Sequence, residues 1–227
     1  MHIEPGVVDG AKIALSYATA TGAAGIVGKM SLQTLKSLKS VPAFAARSAM
    51  ATALVFTFFQ MLPHTPVGVS EVHLILGSTL FLIFGAGPAA LGLALGLLIQ
   101  GVFFAPFDLP QYGMNVTTLI VPLAAMAMLA RRVITPGTAY KDLRYGQALA
   151  LSTAYQGGIV AWVAFWAFYG QGFGAANIAN VAAFGAAYMT VIVIEPLIDL
   201  VVLGAAKSLA GLDKTGLVNA RVWHAAA

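Results

Sequence analysis

Cysteine is absent from the chain. Disulfides, thiolate metal sites, iron–sulfur clusters and cysteine nucleophiles are therefore excluded together, and a bound metal would have to use nitrogen, oxygen or methionine sulfur. Charge is scarce too: Asp, Glu, Lys and Arg make up 9% of the 227 residues, where soluble domains carry about a quarter, so the soluble classes are excluded. The start, MHIEPGVVDG, has no basic n-region and the first basic residue is Lys12; a cleavable signal peptide is not expected, and the mature chain is expected to begin at Met1. No HExxH, Walker or Ser/His/Asp arrangement is present, which leaves hydrolase chemistry and ATP binding by this chain without support. Nor do apolar and polar residues alternate as barrel strands require, since LGLALGLLI and TVIVI are apolar on every face.

What is present is apolar length, with 59% of the residues hydrophobic. A spanning helix takes about 20 apolar residues, so the chain has room for several crossings joined by short loops and none for a soluble catalytic domain. Seven segments qualify, at residues 8–29, 43–62, 71–86, 88–105, 114–131, 146–169 and 178–204. HTPVGVSE, GAGP, APFDLPQYG and YGQGFGAAN carry the Gly, Pro and Asn of turns between them. The third and fourth segments are short and joined by GAGP alone, which reads as a tight helical hairpin. The expected fold is an all-α integral membrane protein, a bundle of about seven transmembrane helices forming one domain over residues 1–227, with residues 1–7 ahead of the first helix.

The net charge of +4 marks topology rather than nucleic-acid binding. Lys29, Lys36, Lys39 and Arg47 flank the first connection, Arg131, Arg132, Lys141 and Arg144 the fifth, and Lys207, Lys214 and Arg221 lie in the tail. Seven crossings put these groups on one side, which the positive-inside rule makes the cytoplasm, with the N-terminus outside and the C-terminus cytoplasmic. Lys12 breaks the pattern, three residues after Asp9, a spacing that lets the two pair.

Among the polar residues, His2, His64 and His73 fall on the outer side of this topology, His73 about one turn into the third helix, while His224 lies in the tail. Beside a free terminal amine, the amide nitrogen and Nδ1 of a histidine at position 2 close two fused chelate rings. Three nitrogens then lie in one plane, and a fourth, from an imidazole such as that of His73, completes a square suited to Ni(II) or Cu(II) rather than zinc or magnesium. The plainer readings are a frayed terminus for His2 and a carbonyl-bonded histidine for His73. Glu195 and Asp199 lie four apart on one face of the last helix; they suit proton or cation coupling or, as favoured here, structural bonds to neighbouring helices. In the first helix Ala14, Ala18 and Gly22 recur every four residues, forming a small-residue face that suits either packing within the chain or docking of a second membrane protein.

Several stretches together resemble a family. MHIEPG looks like an MHI-x-x-G opening; VGVSEVHLILG, FGAGPAALGLALGLLIQGVFF, PQYGMNV and IEPLIDL follow in the family's order. The family is the substrate-capture component of cobalt and nickel energy-coupling-factor transporters, the CbiM/NikM type. The resemblance implies an outer pocket in which the Met1 amine, the His2 amide and imidazole and His73 hold Ni2+ or Co2+ as transported substrate. It matches the family's asparagine to Asn115, expected to orient a ligand or the N-terminal segment, and makes residues 1–7 an extracytoplasmic metal-binding segment. It further implies a prokaryotic cytoplasmic (inner) membrane, a transmembrane coupling protein that Ala14, Ala18 and Gly22 would contact, cytosolic ATPases, and room for a small accessory membrane subunit. The chain departs from the family at Val67–Ser70, at Met114 and at Tyr188, which stands where some cobalt members carry His. On this reading the chain is a transporter subunit without enzymatic activity. The alternatives are an autonomous proton-coupled carrier working through Glu195 and Asp199, and a scaffold subunit indifferent to His2 and His73.

Overall fold

The computed structural model describes residues 3–35 and 40–225, the side chain of Ala210 excepted. These residues form seven α-helices: α1 (Ala14–Thr34), α2 (Val41–Gln60), α3 (Gly77–Phe84), α4 (Ala86–Phe103), α5 (Tyr112–Val133), α6 (Tyr145–Gln171) and α7 (Ala175–Ser208). Between α2 and α3 lies an antiparallel hairpin, β1 (Thr65–Val67) and β2 (Ser70–Val72), in which Thr65 faces Val72 and Val67 faces Ser70. Helices α2, α4, α6 and α7, and the stretch Pro106–Val133 that includes α5, are long and apolar enough to cross a membrane. Helix α5 lies at the centre, packed by α1, α4 and α6, while α2 packs on α4 and α7 on α6. The α2–α4 contact is close because Gly92 and Gly96, four apart, face Ala51 and Val55, and a Cβ on either glycine would run into α2. In lipid such close approach substitutes for a hydrophobic driving force.

Two segments differ from the sequence expectation. The first helix starts at Ala14 rather than residue 8; before it come Gly6 and Gly10 in left-handed conformations and a 3-10 turn over Gly10–Ile13. The third expected span, 71–86, contains only the eight-residue α3. His73, expected one turn into that helix, instead follows β2, and the irregular stretch 73–76 ends at Leu76, whose φ of 55° is left-handed. Eight helical residues rise about 12 Å, less than half of the roughly 30 Å hydrocarbon; four irregular residues add at most about 14 Å. Apolar periodicity does not separate a helix from an irregular stretch that is buried throughout, and His73, Ile75 and Leu76 are all buried. Non-helical backbone at membrane depth is tolerated where protein surrounds it.

Lys36 and Lys39 lie outside the described residues; among those described, basic residues other than Lys12 gather at one end of the bundle. Arg47 donates to the Phe84 carbonyl at 3.2 Å, Arg221 to those of Ile134 and Thr135 at 3.4 and 3.3 Å, the Asn219 N–H to that of Ile83 at 2.7 Å, and Lys207 lies 3.9 Å from Asp142. The opposite end collects residues 3–13, the hairpin, the 104–111 loop and the α6–α7 junction. There the expected Asp9–Lys12 pair does not form. The Lys12 ammonium donates instead to the Gly170 carbonyl at 2.7 Å, where the partial negative charge of the α6 C-terminus attracts a cation.

Candidate metal centre

Met1 and His2 lie outside the described residues, so the candidate centre is built from Ile3 onward. The Ile3 N–H donates to Asn115 Oδ1 at 2.9 Å, and Ile3 forms an antiparallel bridge with Ser70. The Glu4 N–H donates to the Val69 carbonyl at 3.2 Å. The N-terminal segment therefore runs as a short third strand beside β2, with Ile3 and Asn115 both buried. Gly68 permits the hairpin turn: its φ is +63° and the Asn180 carbonyl occupies the space a Cβ would need.

His73 is 1% exposed, and three neighbours hold its ring. Its Nε2 lies 2.9 Å from Glu71 Oε2. The His64 ring stacks on it with centroids 4.8 Å apart and planes at 14°, and Phe59 presents an edge at 5.2 Å. The register explains both imidazole contacts. Residues two apart on a strand share a face, which joins Glu71 to His73. Thr65 opposite Val72 puts His64 opposite His73 one step beyond the ladder. Reading 71–76 as helix hid both relationships, although VGVS carries a turn glycine that could have suggested a hairpin. Glu4 and Asp108 also lie at this end; the Glu4 carboxyl is raised above its usual range, first by burial and then by the charges of Glu71 and Asp108.

Glu195 and Asp199 are fully buried and lie away from this centre, on the α3–α6 side of α7. Glu195 accepts from the Ser78 N–H at 3.1 Å, the Ser152 hydroxyl at 2.9 Å and the Gln156 amide at 2.9 Å. Asp199 accepts from the Ser78 and Thr79 hydroxyls at 2.7 and 2.6 Å. All four carboxylate oxygens are engaged, and the first turn of α3 supplies three of the donors, the Ser78 N–H and the Ser78 and Thr79 hydroxyls. The structural bonds expected of these carboxylates are present, and their partners on α3 and α6 were not apparent in the sequence. Ala14, Ala18 and Gly22 are exposed; a Cβ at Gly22 would meet nothing within 4 Å. Internal packing of that face is thereby ruled out among the described residues, since α1 turns Ser16, Ala23, Val27 and Met30 inward instead.

The model of the CbiM family, described as the cobalt uptake substrate-specific transmembrane region, matches residues 2–210. Two crystal structures are similar in fold. A truncated transition metal transporter aligns with a TM-score of 0.65 at 21% identity, covering 89% of this chain and 96% of that one. A second transition metal transporter gives a TM-score of 0.65 at 19% identity, covering 94% of each. No curated protein matches.

Proposed function

Because the chain belongs to the CbiM family, the cobalt uptake substrate-specific transmembrane region, we propose that it is the substrate-binding membrane subunit of an ATP-driven energy-coupling-factor importer for Ni2+ or Co2+. The family is a metal-transport component and not an enzyme, and the chain is a helical, multi-pass membrane protein. The finer reading is a square of nitrogens around the metal: the Met1 amine, the His2 amide, His2 Nδ1 and a ring nitrogen of His73, with Asn115 orienting the N-terminal segment. The observation that carries it is the pinning of Ile3 to Asn115 and Ser70. Ile3 is thereby held at the end of the bundle that holds His73, and the proposed chelate consists of the two residues that immediately precede it in the sequence. On this reading the end with the N-terminus and hairpin faces outward and the basic end faces the cytoplasm of a prokaryotic inner membrane, where the coupling protein and cytosolic ATPases drive import.

Isothermal titration of purified protein with Ni2+ and Co2+ tests the site. One residue added ahead of Met1 keeps every side chain but converts the amine to a peptide nitrogen and moves His2 out of chelate register, so binding should be lost. His73→Ala should weaken binding more than Asn115→Ala, for which about 10 to 100-fold is expected of a residue orienting a ligand. Because the amine and amide both lose protons, binding should release protons and weaken as pH falls. Near-wild-type binding by the extended protein would eliminate the N-terminal chelate, and loss confined to His64→Ala would move the fourth ligand to the hairpin.

A further inference from the structure

The nitrogen of His73 that meets the metal is decided by the residue two positions before it. A carboxylate only accepts hydrogen bonds. With Glu71 Oε2 at 2.9 Å from His73 Nε2, a neutral His73 beside an ionised Glu71 carries its ring proton on Nε2 and its lone pair on Nδ1. We propose that Glu71 is a positioning residue for metal capture: it fixes His73 in the Nε2-protonated tautomer, so that Nδ1 is the ligating atom, and strengthens that ligand electrostatically. The proposal rests on the metal reading above and adds to it a residue and an atom.

Two further features support this role. Orientation is over-determined, because His64 stacked on one side and Phe59 edge-on hold the plane of the ring while Glu71 fixes its rotation. A carboxylate–histidine–metal relay of this kind makes the imidazole a stronger donor. Charge is the second. In the proposed square the deprotonated His2 amide supplies one negative charge against a divalent ion, and the Glu71 carboxylate supplies another, so ion, amide and carboxylate sum to zero. His73 is buried, and an uncompensated charge beside it would be expensive to desolvate.

Full-length protein separates orientation from charge through two substitutions. Glu71→Gln keeps a carbonyl that accepts from Nε2 but removes the charge; Glu71→Leu removes both. In metal-free protein carrying 15N-labelled histidine, His73 should be protonated at Nε2 in wild type and Glu71→Gln, and should lose that preference in Glu71→Leu. Ni2+ titration should rank wild type above Glu71→Gln above Glu71→Leu, the last weakened about 10 to 100-fold. Loss of binding in His73→Ala with wild-type affinity in Glu71→Leu would overturn the role of Glu71 and leave the metal reading standing. Wild-type affinity in His73→Ala and in the N-terminally extended protein would overturn the metal reading and this inference with it. An Nδ1-protonated His73 in metal-free wild type would overturn the tautomer assignment whatever the affinities.

Discussion

Glu195 and Asp199 illustrate how much a single pair of side chains can reveal before its neighbours are known. Their four-residue spacing places both on one face of a helix, and that is visible in IEPLIDL. Their partners are not: Ser78 and Thr79 are about 120 residues distant in sequence, and Ser152 and Gln156 sit on another helix. With every carboxylate oxygen engaged, the pair acts as a clasp joining α3, α6 and α7. Ser78→Ala should lower stability by about 1–3 kcal/mol, the range for a hydrogen bond to a charged group or a buried acceptor left unpaired. Glu195→Leu should cost more, since it strands the Ser78 N–H and the Gln156 amide. Thermal unfolding of the detergent-solubilised protein measures both. Unchanged melting combined with lost metal uptake would instead favour the proton-coupled carrier.

Helices α1 and α3 depart most from their sequence appearance, each for a physical reason. In α1 the small residues Ala14, Ala18 and Gly22 are exposed, while close internal contacts are made by Gly92 and Gly96 of α4 against α2 and by Gly87 and Gly113 against other residues of α1. Both stripes have the same four-residue spacing, so spacing tells which residues permit close approach but not which helix approaches. We propose that the α1 face receives the coupling protein. Leu at Ala14 or Ala18 should then reduce co-purification of that subunit, by holding the backbones apart where lipid offers no compensating drive. The melting temperature of the isolated chain should hold, because both positions are exposed. Unchanged assembly with Leu present would assign the face to lipid. In α3, HLILGSTLFLIF reads as continuous apolar helix, yet its first residues are irregular backbone. The surrounding helices supply the burial that makes this possible, and no property of the segment alone announces it.

Across the molecule, the grouping of basic residues at one end carries the orientation prediction. A reporter fused after the tail should signal from the cytoplasm and one in the loop near Asp108 from outside; a cytoplasmic signal from the Asp108 loop would reverse or break the proposed topology. The apolar content, seven helical segments of which five are long and apolar enough to cross a membrane, the gathering of Arg47, Lys207 and Arg221 at a common end, and the family were legible in the chain, because hydropathy and charge act locally against a bilayer that is the same for every segment. The stacking of His64 on His73, the Glu71 contact, the pinning of Ile3 by Asn115 and the clasp on α3 were not. Each depends on strand register or on side chains brought together from distant helices, and both are settled only when the bundle packs.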